Sequence, residues 1–126
     1  MYLIINDAIL PNFIGLVKEN KIKGACLQSR RDYTLATIDK IISQEGISLS
    51  QLRGIIIISE AESFSQSRIY VTIANILGIY FDLPRVFIKP QKDELIDQII
   101  DRAKKKLSKK NILPIYNKEP NIGKPN

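Results

Sequence analysis

Five consecutive residues, Gly54-Ile55-Ile56-Ile57-Ile58, leave little choice of local structure. A short run with no polar position reads as a strand buried on both faces, as in a parallel sheet. A polar stretch, Ser59 to Arg68, follows it, and then a second apolar run, Ile69 to Phe81. This is the pattern of strand, turn and helix. In an α/β protein such a turn lies at the carboxyl end of a strand, where ligand sites form. A turn that cradles phosphate needs glycines, so that backbone N–H groups can approach the anion. Ser59, Glu60, Ala61, Glu62 and Ser63 include none, and the two glutamates repel phosphate. The chain has the frame of a nucleotide-binding unit with a degenerate phosphate loop.

The rest of the chain supplies the frame. Tyr2 to Asn6 reads as a buried strand. Phe13 to Val17 and Ile22 to Leu27 read as an antiparallel hairpin turning at Lys18-Glu19-Asn20-Lys21, with Asn20 and Gly24 at turn or bulge positions. From Asp32 the period becomes helical. Leu35, Ile38, Ile41, Ile42 and Glu45 form one side, Thr34, Thr37, Lys40 and Ser43 the other, with Asp32 as cap and Gly46 as stop. Ser63 or Ser65 starts the next helix and Leu83-Pro84 ends it. Val86 to Ile88 is a short strand. Asp93 to Leu107 is an amphipathic helix with Leu95, Ile96, Ile99, Ile100, Ala103 and Leu107 as its stripe. The order β-β-β-α-β-α-β-α predicts a ribonuclease H-like α/β unit. Its mixed five-stranded sheet is a three-strand antiparallel meander followed by alternating strands and helices. Residues 1–116 are expected to form one domain, with an apolar patch at Ile112 to Tyr116 docking on the body, and 117–126 a flexible tail.

The helix beginning near Ser65 is apolar around most of its circumference. Such a helix needs cover on two sides, one of which the sheet provides. The other side is expected to meet a partner, with Ala74 and Gly78 permitting close backbone approach.

Composition removes several chemistries. The chain of 126 residues has no histidine and one cysteine, Cys26. A Cys/His zinc site and a Ser-His-Asp or Cys-His nucleophile are therefore impossible, and a single cysteine suits a reducing cytoplasm. Cys26, inside a strand, reads as a small core residue. The opening residues lack the basic region and cleavage site of a signal peptide, and no apolar run is long enough to span a bilayer. The expected location is the cytoplasm, with no membrane contact. Two other readings stay open. Asp7, at the end of the first strand, could hold a metal with Glu60 or Glu62 for hydrolysis or nuclease chemistry. The net charge of +6 could serve RNA binding through Arg30, Arg31 and the cluster Lys104, Lys105, Lys106, Lys109 and Lys110. Lysines at the end of a helix also complement its dipole without any ligand.

Beyond its order of elements, the chain resembles one family. Ser63-Phe64-Ser65-Gln66-Ser67-Arg68-Ile69, with Ala74 and Leu77 beyond it, is similar to the G-S-F-T-G-x-R-I-G … A … G-L-A segment of the TsaB (YeaZ) family. Leu3-Ile4-Ile5-Asn6-Asp7-Ala8 resembles the opening L-A-I-D-T-S. Arg31-Asp32-Tyr33-Thr34 resembles R-x-H-S/T before a helix. Ser48-Leu49-Ser50-Gln51-Leu52 with Gly54-Ile55 resembles S-L-x-D-L-x-A-I, and Leu113 to Pro120 resembles P-x-Y-L-R-x-P. The family's early aspartate falls on Asn6, its histidine on Tyr33, and every glycine of its loop is replaced. The likeness covers about two thirds of the chain and, more weakly, its last part, without the second ribonuclease H-like subdomain of full members. It implies a non-catalytic scaffold with no cofactor of its own. Such a subunit pairs with a TsaD-like subunit, or with a second copy as a homodimer. A TsaE-like ATPase docks nearby, and the assembly supports threonylcarbamoyladenosine formation on tRNA. By register, the helices at that contact are Asp32 to Glu45 and Ser65 to Phe81, and the contact residues the resemblance implies are Ile38, Ile41, Phe64, Arg68, Ile69, Ile73 and Ile76. A helix-pair contact of this type buries about 1,200–2,000 Å² in total.

Overall fold

The computed structural model describes residues 1–27, 33–60 and 64–113, with the side chains of 64–67 excepted. Its strands are β1 (Tyr2–Asn6), β2 (Phe13–Lys18), β3 (Lys21–Leu27), β4 (Gly54–Ile58) and β5 (Arg85–Ile88). Its helices are α1 (Thr34–Gln44), α2 (Phe64–Phe81) and α3 (Ile96–Lys104), with a 3-10 turn at Leu49–Gln51. The sheet order is β3-β2-β1-β4-β5. β1 and β2, and β2 and β3, pair antiparallel; β4 lies parallel between β1 and β5.

The all-isoleucine strand sits where its sequence demands. Ile55 and Ile57 enter a core with Leu3, Ile5, Ile14 and Leu16 beneath α1 and α2. Ile56 and Ile58 enter a second core with Ile4, Val86 and Ile88 beneath α3. Alternation of side chains across a strand makes both faces of β4 interior. Partly buried Cys26 packs against the first core.

Local chemistry fixes the connections. Glu19 and Asn20 both take positive φ, 53° and 61°, the pairing a two-residue hairpin with the twist of its strands requires. The ladder slips at Leu16/Val17, leaving Lys23 as the extra residue next to Gly24. Gly46, at φ +67°, closes α1, and Ile47 N donates to Ile42 O at 3.3 Å. α2 closes on Asp82 at φ 56°, with Leu83 N donating to Gly78 O at 2.8 Å.

Three expectations are corrected. α1 buries Thr34, Ile38, Ile41 and Ile42, and Leu35 faces outward. Thr34 stands four and seven residues before Ile38 and Ile41, on one line of the helix, so position outranks polarity there. Tyr33 occupies the cap position, and its side chain makes no capping bond to the helix; Asp32 lies outside the described residues, as do 114–126. α3 is shorter than its pattern at both ends. Leu95 precedes its first turn, its N–H donating to Gln98 Oε1 at 2.8 Å, and its side chain is exposed. β5 begins one residue earlier, at Arg85, which is buried. The Arg85 guanidinium donates to Asn75 Oδ1 (3.2 Å), Leu83 O (2.9 Å) and Asn111 Oδ1 (2.7 Å). Asn75 in turn holds the backbone of Ile112 through two bonds of 2.8 Å, so the segment after α3 is fastened to α2.

Candidate protein interface

α1 packs on β2 and β3, and α2 on β4 and β5. The inner side of α2 is set by its smallest residues. Ala74 is fully buried, and a Cβ placed on Gly78 would stand 2.4 Å from Arg85 Nη1 and 2.5 Å from its Cδ. The two positions expected to admit a partner therefore face the chain's own interior. Tyr70, Val71 and Ile73 lie on that same side, in one core with Ile38 and Ile41. Of the expected contact residues, Ile38, Ile41 and Ile73 are thus core residues. Replacing Ile73 with aspartate would break the fold rather than test a contact.

The outer side of α2 carries another apolar set. Ile69, Ile76, Ile79 and Tyr80 are 38%, 59%, 63% and 80% exposed. With Thr72 they lie within about 100° of one another around the helix and extend for about 17 Å along it. This band has no charged side chain from Ile69 to Tyr80. The Tyr80 ring meets Phe81 edge-on, with centroids 4.8 Å apart. Arg68 is exposed at the near end of the band. Among the described residues the helix is covered on one side only. Ile79 and Tyr80 escaped selection by sequence because a helix apolar nearly all round does not declare which side the sheet takes.

The turn at the carboxyl ends of β1 and β4 is built differently from a ligand cradle. Asn6 is buried, and its Oδ1 accepts from Ala8 N (3.1 Å) and Ile9 N (3.0 Å) while its Nδ2 donates to Ile9 O (2.7 Å). One amide thus supplies the donor and the acceptor that organise the loop after β1, which a carboxylate at this position could not do. Asp7 N donates to Ile58 O at 2.7 Å, and Asp7 Oδ1 accepts from Asn12 Nδ2 at 3.3 Å. Ser59 is buried, its N–H on Ile88 O at 3.1 Å, and Glu60 is exposed beyond it. Ala61, Glu62 and Ser63 lie outside the described residues, as do Arg30 and Arg31. Among the described residues no group of three acidic or cysteine side chains gathers to hold a metal. Among the described residues no helix is long and apolar enough to cross a membrane.

Element order, the 3-2-1-4-5 sheet and helices on both faces define a ribonuclease H-like α/β unit. Among solved structures the chain is similar to YeaZ from Pseudomonas aeruginosa, with a TM-score of 0.58 and 15% identity over 70% of this chain and 43% of that protein. A second structure, of an uncharacterized protein with similarity to peptidase YeaZ from Pseudomonas aeruginosa, gives a TM-score of 0.55 and 14% identity over 70% of this chain and 42% of that one. The chain shares the YeaZ fold and spans less than half the length of these two proteins. No protein-family model and no curated protein matches it.

Proposed function

We propose that this chain is a non-catalytic partner protein of the TsaB type, whose outer α2 face docks on a TsaD-like subunit. In that role it supports threonylcarbamoyladenosine formation on tRNA, acts within the cytoplasm, and stands beside a TsaE-like ATPase. One observation carries the reading: the uncharged band of Ile69, Ile76, Ile79 and Tyr80, exposed on a helix whose inner side is already packed. Contiguous apolar surface of this kind marks protein–protein contacts. The YeaZ fold and the Ser63 to Ile69 resemblance support a TsaD-like partner. A turn without glycines that carries exposed Glu60 accords with a subunit that leaves nucleotide chemistry to its partner.

The test is co-elution of the chain with a TsaD-like protein from the same source, using wild type, Ile76→Asp and Tyr80→Ala. Both changes fall on exposed positions and leave the monomer folded. Loss of the complex in both variants, with unchanged thermal midpoints, is the expected result. A complex that survives Ile76→Asp refutes the docking face. A wild-type chain that ignores the TsaD-like protein and pairs with itself through the same residues replaces that partner with a second copy.

A further inference from the structure

At the opposite end of the sheet, the amino ends of β1 and β4, the hairpin turn after β2 and the carboxyl end of α3 surround a cavity of about 420 Å³. Its walls include Met1, Tyr2, Lys18, Glu19, Arg53 and Lys104. The cationic side chains come from three separate stretches of chain. Lys18 ends β2, Arg53 precedes β4, and Lys104 closes α3, its Nζ 5.2 Å from the centroid of the Tyr2 ring. Lys104 also donates to Asn20 Oδ1, and Asn20 Nδ2 donates to Asp101 Oδ1 at 2.6 Å, so the hairpin turn is locked to the helix that forms the wall. Neither Lys18 nor Arg53 forms a salt bridge among the described residues.

The charges do not balance. Glu19 contributes one negative charge and the carboxyl end of α3 about half of another. Three cationic side chains exceed the two together. The Met1 ammonium beside them is held below its ordinary value, by burial first and then by Arg53, Lys18 and Lys104. A concave site with unneutralised charge concentrates ions of the opposite sign. Its volume falls within the range of small-ligand pockets, about 300–1,000 Å³, and exceeds what bare phosphate would fill. Tyr2 and the Met1 side chain add an apolar wall beside the cations.

We propose that this cavity is an anion site for a nucleotide-sized phosphate ester, with Lys18, Arg53 and Lys104 on the phosphates and Tyr2 against the organic body. It lies the length of β1 away from the turn at Ser59, so it is separate from the degenerate loop, and it shares no residue with the outer band of α2.

The experiment is isothermal titration calorimetry of the full chain at low salt with ADP, adenosine and inorganic pyrophosphate. ADP and pyrophosphate are expected to bind one per chain, and adenosine to give no saturable heat. Lys18→Glu/Arg53→Glu should weaken both anions by about tenfold or more, and Tyr2→Ala should weaken ADP while sparing pyrophosphate. Lys109→Glu, at an exposed residue paired with Asp82 outside the cavity, should leave both unchanged. Lack of saturable ADP heat up to about 1 mM, or binding that survives the double charge reversal, overturns the site. Equal weakening by Lys109→Glu would mean diffuse attraction and overturn it as well. A short oligouridylate that binds where ADP does not would assign the cations to an RNA backbone and refute the nucleotide. Thermal midpoints of the variants near that of wild type separate these results from unfolding.

Discussion

Replacing Gly78 with alanine tests which way α2 faces. On an open helix surface the change would stabilise, since alanine exceeds glycine in helix propensity by about 1 kcal/mol. Here the new Cβ would stand 2.4 Å from Arg85 Nη1 and 2.5 Å from Cδ, closer than any such contact allows. Arg85 is buried and its guanidinium is held by Asn75, Leu83 and Asn111, so its head cannot swing aside without losing bonds. Overpacking costs about 1–3 kcal/mol. Loss of one charged hydrogen bond costs about 1.5–3 kcal/mol. Set against the propensity gain, the net loss is about 1.5–5 kcal/mol. In a chain of this size that lowers the thermal midpoint by roughly 10 °C. Urea unfolding of Gly78→Ala, Arg85→Ala and the double variant measures it as a coupling energy. The loss caused by alanine at position 78 should disappear once Arg85 has been truncated. A Gly78→Ala chain as stable as wild type, or more so, would mean that Gly78 faces outward and that Ile76 and Tyr80 do not form the outer band.

Two further perturbations read separate parts of the molecule. Arg102 donates to Glu94 at 2.6 and 2.8 Å, and Gln91 N donates at 2.9 Å; together they hold the Glu94 carboxyl down at about 2. A carboxyl depressed in the folded state stabilises above its ordinary value of 4.5, and that contribution fades as pH falls from 4.5 through 2. Between pH 5 and pH 3 the urea midpoint should drop more in wild type than in Glu94→Gln, and parallel drops would refute the assignment. Asn6→Asp, which restores the acid of the family pattern, removes the donor to Ile9 O from a buried position. It should cost about 1–3 kcal/mol in urea unfolding, and a neutral result would mean that Asn6 does not organise the loop.

The parts of this fold that could be read from sequence are those fixed by neighbours along the chain. Ile55 to Ile58 has no polar position, so both its faces must be interior, and they are. Gly46 stops α1 because a residue at φ +67° is needed there. What could not be read depends on residues distant in sequence. Arg85 is polar by composition and buried in fact, because Asn75 and Asn111, ten residues before it and twenty-six after it, bring acceptors to it. That same side chain decides the candidate interface. It fills the space above Gly78 and turns Ala74 and Ile73 inward, which leaves Ile76, Ile79 and Tyr80 outside. The apolar excess of α2 told that one side would lack cover, while only the packed structure could say which isoleucines belong to it. The cationic cavity is harder still to read, since Tyr2, Lys18, Arg53 and Lys104 look like scattered surface residues until the sheet brings the starts of β1 and β4 beside the end of α3. Both candidate surfaces therefore follow from one topology. Parallel β1 and β4 set the amino ends together at the cavity, and the crossover from β4 to β5 lays the over-apolar α2 against those two strands.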